Sequence, residues 1–150
     1  MRKAIAFATI TLEMTQYADD KGVHIDVEQT ATGGIKGTAE HRTLDWQYRE
    51  HSDHVFGDLK GRSRFSDLSA PDITEDFLKE DWLQGEEEKA GPNGEINFYN
   101  DVVAQRGWTG SQVWGFAIID GKRYYTRRIV IKKGNEVKKI RMVYDWLGKN

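Results

Sequence analysis

The stretch Trp114–Trp146, WGFAIIDGKRYYTRRIVIKKGNEVKKIRMVYDW, decides the fold, because two turn signals in it fix how three strands face one another. Asp120-Gly121 is a favoured two-residue type I′ loop. It sets Ile119 opposite Lys122 and, counting outward, Phe116 opposite Tyr125 and Trp114 opposite Arg127. Gly134-Asn135 supplies the second loop, with Lys133 opposite Glu136, Ile129 opposite Ile140, Arg127 opposite Met142 and Tyr125 opposite Tyr144. Cross-strand partners point the same way. One face therefore collects Trp114, Phe116, Ile118, Tyr125, Arg127, Ile129, Ile131, Ile140, Met142, Tyr144 and Trp146, and is expected inside. The other carries Lys122, Tyr124, Thr126, Arg128, Lys132, Lys139, Arg141 and Asp145, and is expected to meet water. Arg127 is the anomaly: a cation in step with a row of large apolar residues.

Working outward, β-branched and aromatic alternation between glycine-rich turns marks eight strands, at about 3–16, 22–31, 36–50, 54–67, 95–105, 110–119, 122–133 and 137–147. A turn at Ser52-Asp53 would pair His51 with His54, Tyr48 with Gly57, Trp46 with Leu59, Arg42 with Ser63 and Glu40 with Phe65, placing two more charges on an apolar face. The opposite face, with Asp45 by Lys60 and His41 by Arg64, would be solvated. One segment has a helical pattern: in SAPDITEDFLKEDWLQGE, Asp72 can cap with Glu75, Ile73, Phe77, Leu78 and Trp82 share a side, and Gly85 ends it. The expectation is an all-β single domain over residues 1–150. It is an eight-stranded up-and-down antiparallel barrel with one helical insertion between strands 4 and 5, and a two-sheet sandwich is the alternative.

Composition narrows the partners. Lys+Arg 22 against Asp+Glu 24 leaves a net charge of −2, which offers no general attraction to nucleic acid or acidic membranes. With no cysteine there are no disulfides, thiolate metal sites or cysteine nucleophiles. No apolar run approaches the ~18 residues of a transmembrane helix, and the opening MRKAIAFATITLEM lacks a small-residue cleavage pattern, so it is expected to be mature sequence. The expected location is cytoplasmic, without membrane insertion, and a homodimer is compatible with the composition. No phosphate-binding loop, nucleophile elbow, dinucleotide fingerprint or His/Cys ligand set is present, so no metal and no cofactor is expected.

An ionised guanidinium left unpaired in a dry interior costs several kcal/mol, so Arg127 requires a partner: Glu40 or another carboxylate, or an oxyanion or carbonyl of a ligand. Tyr125 and Tyr144 bring phenolic donors to the same face, and Tyr48 joins them on the expected pairing. Trp46, Trp114, Phe116, Leu59 and Met142 would wall the pocket, with Arg42 beside Glu40. Glu40 is the candidate acid or base; aromatic surroundings would raise its pKa and Arg42 would lower it. His51, Asp53 and His54 at a hairpin are a chance surface grouping.

Two stretches, TGGIKGTAEHRTLDWQYREHSDHVFGDLKGRSRF (32–65) and GWTGSQVWGFAIIDGKRYYTRR (107–128) followed by MVYDW (142–146), resemble the small, cysteine-poor lipocalin-like (calycin) proteins of filamentous fungi, several of which lie in secondary-metabolite pathways. The resemblance implies a barrel with an internal ligand cavity. It further implies either carriage of a ligand or cofactor-independent steering of a cyclisation, pericyclic closure or isomerisation. The intracellular fatty-acid-binding branch holds its ligand with Arg-x-Tyr on the last strand, whereas Tyr125-Thr126-Arg127 has the reverse order one strand earlier. The function expected is binding of a hydrophobic, oxygenated small molecule and its cyclisation or isomerisation. Arg127, Tyr125, Tyr144 and Glu40 would be the catalytic groups, and a non-catalytic carrier of a small acidic ligand is the alternative.

Overall fold

The computed structural model describes residues 10–33, 35–53 and 57–148. Strands are β1 (Ile10–Asp19), β2 (Gly22–Ala31), β3 (Ile35–Thr43), β4 (Arg49–Asp53), β5 (Gly57–Ser66), β6 (Asn97–Ala104), β7 (Thr109–Ile119), β8 (Lys122–Lys133) and β9 (Glu136–Tyr144). The protein is all-β and antiparallel. Among the described residues the ladders form two sheets, ordered β1-β2-β3 and β4-β5-β6-β7-β8-β9, and no closed barrel. The chain divides into two compact units, Met1–Asp45 and Trp46–Asn150. No described helix is long and apolar enough to cross a membrane. The opening segment expected as mature strand lies outside the described residues as far as position 9.

The first unit is a three-stranded meander. Ile25 and Val27 of β2 are buried, and their cross-strand partners on β3 are Arg42 and Glu40. The ladder carries an irregularity between Glu28 and Thr30. At the open turn end His24 stacks on Tyr17 and its ring nitrogens meet Asp19 and Thr43 at 2.8 and 3.0 Å. His41 is exposed and contacts Asp26 at 3.1 Å.

In the second unit the registers set by the two turns hold residue for residue: Ile119 faces Lys122, Trp114 faces Arg127, Lys133 faces Glu136, and Arg127 faces Met142. Asp120 and Gly121 adopt φ of 50° and 80°, the left-handed backbone that the tight turn requires.

The hairpin expected at Ser52-Asp53 forms elsewhere. Asp53, not Tyr48, lies opposite Gly57, and His51, not Trp46, lies opposite Leu59. The expected third strand breaks in two at residues 44–48, where Trp46 takes φ 60°. Leu44 N–H donates to Val23 O at 2.8 Å, while Trp46 N–H donates to Ser63 O at 2.9 Å. The displacement is odd, so the expected side-chain faces are exchanged. The partner expected for His51, His54, falls outside the described residues.

The helix expected over 72–84 is instead a strap, 67–96, with single 3-10 turns at Asp76–Leu78 and Glu86–Glu88. Asp72 and Glu75 do not cap each other. Asp72 receives both terminal nitrogens of Arg64 at 2.7 and 2.8 Å, and Glu75 pairs with Lys132. Asp81, at φ 62°, breaks the path again. The apolar residues of the pattern are nonetheless those that bury: Ile73, Leu78 and Trp82 form the core with Tyr99, Val113 and Val130.

This strap corrects the expected solvated face of β8. Thr126 is fully buried and Arg128 is 4% exposed, because Trp82, Phe77 and Leu78 cover that side of the sheet. Arg128 donates to the Phe77 carbonyl at 2.9 Å and lies 5.0 Å from the Phe77 ring. The other face is buried over its middle, at Phe98, Trp114, Tyr125 and Arg127, while Ile118, Ile140, Met142 and Trp146 toward its margin are 50, 41, 39 and 42% exposed. The strong version of the sequence expectation, one dry and one wet face, gives way to a sheet buried on both sides over its middle and exposed along β9.

Candidate functional site

The site is built on β6, β7 and β8 by in-register neighbours. Phe98 pairs with Trp114, and Trp114 pairs with Arg127. Phe98 and Trp114 stack with ring centroids 3.9 Å apart and planes 26° from parallel. On the other flank the Arg127 guanidinium carbon lies 3.8 Å over the Trp114 ring, the face-on geometry in which the ring quadrupole attracts a cation.

Two residues before Arg127 on the same strand, and hence on the same face, Tyr125 accepts a hydrogen bond from Arg127 Nε at 3.0 Å. That bond fixes the guanidinium plane. Tyr144 on β9 faces Tyr125 with ring centroids 5.6 Å apart and lies 6.0 Å from the guanidinium carbon. Phe116 meets Tyr125 edge-on at 5.7 Å and Trp146 at 5.1 Å. A buried cation thus sits in an aromatic setting, held by a ring face and a phenol. A guanidinium so oriented can donate to a carbonyl or carboxylate, and the rings around it suit an apolar, unsaturated body.

Sequence reasoning brought Arg127, Trp114, Tyr125, Tyr144, Phe116 and Met142 to one face, and the structure keeps them there. It does not keep Trp46 and Tyr48 with them. Trp46 takes Arg62 and Arg64 on its ring at 4.0 and 4.2 Å and packs on Tyr99; Tyr48 takes Arg62 at 4.5 Å. Arg62, Arg64 and Tyr99 share the strap side of the sheet, opposite to Arg127. The break at Trp46 is the cause. Leu59 is on the Arg127 face but at the far end, between His51 and Ala104. Glu40 and Arg42 belong to the first unit and pair with each other at 3.4 Å, both half-buried.

A polar row beside the aromatics escaped the sequence reading. Ser63, Asn100 and Gln112 occupy successive strands in register, and Asn100 is 1% exposed. Gln112 was legible in principle, since it stands two residues before Trp114 on an alternating strand. Asn100 was not, because β6 and β7 are joined by QRGW, which carries no two-residue turn to pin the register.

On the strap side Tyr99 donates to Asp101 at 2.7 Å. Burial, then that hydrogen bond, pushes its phenol well above the ordinary tyrosine range, so it serves as a fixed donor and not as a base. Among the described residues no cluster of His, Cys, Asp or Glu is arranged to hold a metal.

Fold and site together define an all-β protein with a buried cation on an aromatic face of its larger sheet. The pericyclase pydY of Acremonium sp. is 29% identical over 150 residues, covering 99% of this chain and 77% of the relative. A protein of Mollisia scopiformis named "Probable pericyclase scpY" is 30% identical over 125 residues, 83% of this chain; the match spans 62% of that relative's length. No family model and no solved structure matches. The likeness to proteins named as enzymes, in one case along nearly the whole chain, supports catalysis by this one.

Proposed function

We propose that the protein catalyses a pericyclic ring closure, or a kindred cyclisation or isomerisation, of a hydrophobic, oxygenated small molecule in fungal secondary metabolism, without a cofactor. The observation that carries this is the Arg127 guanidinium seated on Trp114 with its Nε fixed by Tyr125; the names of the two relatives agree with it. A pericyclic step redistributes bonds within one molecule and needs no external acid or base. What an enzyme can contribute is the folded conformer and a donor at the oxygen that polarises the reacting π-system. Trp114, Phe116 and Tyr144 would hold the conformer, and Arg127 would hydrogen-bond the oxygen. Glu40 enters only if a proton moves.

The test is incubation of purified protein with a hydrophobic extract of candidate open-chain, oxygenated metabolites, beside an Arg127→Ala control, followed by chromatography with mass detection. A metabolite replaced by an isomer of the same mass, with the wild type alone, supports the proposal. A metabolite captured and released unchanged makes the protein a carrier and overturns catalysis.

A further inference from the structure

We propose that Gln112 is the positioning residue of the Arg127 site, a role that rests on the functional reading above. Phe98 and Arg127 flank Trp114 from neighbouring strands, and contacts to ring faces do little to stop the indole sliding in its own plane. Its only polar atom, Nε1, donates to Gln112 Oε1 at 2.7 Å. That bond fixes the in-plane position of the ring on which the guanidinium rests.

The orientation of the Gln112 amide is itself determined, with no ambiguity of flip. Asn100 Nδ2 donates to the Arg62 carbonyl at 2.9 Å and to Ser63 Oγ at 3.1 Å. A carbonyl can only accept, so Asn100 must present Oδ1 on its other side, and there it receives Gln112 Nε2 at 3.3 Å. Gln112 is left with Oε1 toward an indole N–H that can only donate. The chain Arg62 carbonyl, Asn100, Gln112, Trp114 therefore has one direction. Asn100 is buried, so water cannot readily substitute for a lost link. Gln112 acts through Trp114 on Arg127, and a leucine of similar size at this position would keep the packing and lose the alignment.

The experiment is a proton–nitrogen correlation spectrum of the whole chain without ligand. The Trp114 indole signal is identified by its loss in Trp114→Phe, and the Arg127 Nε–H signal by its loss in Arg127→Lys. In Gln112→Leu the indole signal is expected to move upfield and its proton to exchange with solvent about tenfold faster, as for one lost hydrogen bond; the Arg127 signal should shift with it. Gln112→Glu keeps an acceptor for the indole while giving up the donor to Asn100 Oδ1, so it should return the indole signal part of the way to its wild-type position. Unchanged signals in Gln112→Leu overturn the proposal. Should Gln112→Leu fold too poorly, Gln112→Met removes the acceptor at constant length. Binding of 8-anilinonaphthalene-1-sulfonate, an aromatic anion, is measured alongside. Equal binding by wild type and Arg127→Ala defeats the ligand reading of the site, while the two spectral signals still decide the role of Gln112.

Discussion

Arg127 and Arg128 are consecutive, lie on opposite faces of β8, and are each 4% exposed. One rests on an aromatic ring with a phenol at its Nε; the other serves the strap through the Phe77 carbonyl. Burial pushes the Arg128 guanidinium down from its ordinary range, opposed by Asp81 and Glu80. Those carboxylates stand at 3.7 and 3.9 Å, attracting but too distant for a hydrogen bond.

The two arginines should separate in mutants. Arg128→Met fills the space but strands the Phe77 carbonyl, and a loss of about 1–3 kcal/mol is expected by urea titration, with ligand chemistry retained. The exposed Glu80 and Asp81 can rehydrate, which keeps the loss below that of a broken buried pair. Arg127→Lys should do the reverse. It keeps the charge but removes the flat fork that meets Tyr125 and Trp114, and turnover or ligand capture is expected to fall by about tenfold or more. Equal effects of both changes on turnover would contradict the assignment.

At Gly115 the strap packs closely on the sheet. A Cβ there would stand 2.9 Å from Trp82 Cε3 and closer still to Asn97 Nδ2. Neither neighbour yields freely, because Trp82 Nε1 donates to the Leu78 carbonyl and Asn97 Nδ2 to the Trp114 carbonyl. Gly115→Ala should therefore cost about 1–3 kcal/mol. A variant as stable as wild type in thermal unfolding would show that the strap does not pack as described.

Acid should loosen the strap in a defined range. Hydrogen bonds from Arg64 hold the Asp72 carboxyl below the usual range, and Lys132 does the same for Glu75. A carboxylate with a lower pKa in the folded chain contributes stability that is complete above its unfolded value of about 4, and loses it as pH falls through the folded value. Stability is thus expected to decline below about pH 4. Asp72→Asn with Glu75→Gln should lower stability at neutral pH and flatten that decline. An unaltered acid-unfolding profile in the double variant would refute the mechanism.

How much could be seen in the sequence depended on turns. Asp120-Gly121 and Gly134-Asn135 leave no freedom of register, so the Trp114, Arg127, Met142 row was legible to the residue. The Trp46 side of the site was not. A tryptophan with left-handed backbone is foreign to any propensity scale, and it moves the next pairing by an odd number of residues. The strap shows the complementary failure. Its apolar spacing correctly named Ile73, Leu78 and Trp82 as buried, but spacing alone cannot show that Asp72 and Glu75 would find cations on the sheet before they could cap a helix.

The sign of those strap contacts is uniform. Asp72, Glu75, Glu80, Asp81 and Glu88 come from the strap, and Arg64, Lys132, Arg128 and Arg123 from the sheet. The protein folds around its own counterion. Two denaturants should then disagree about it: guanidinium chloride is a salt that screens such contacts and offers each carboxylate a rival cation, whereas urea is neutral. The folding free energy extrapolated from guanidinium should fall below that from urea, and added sodium chloride should narrow the gap by weakening the urea value alone.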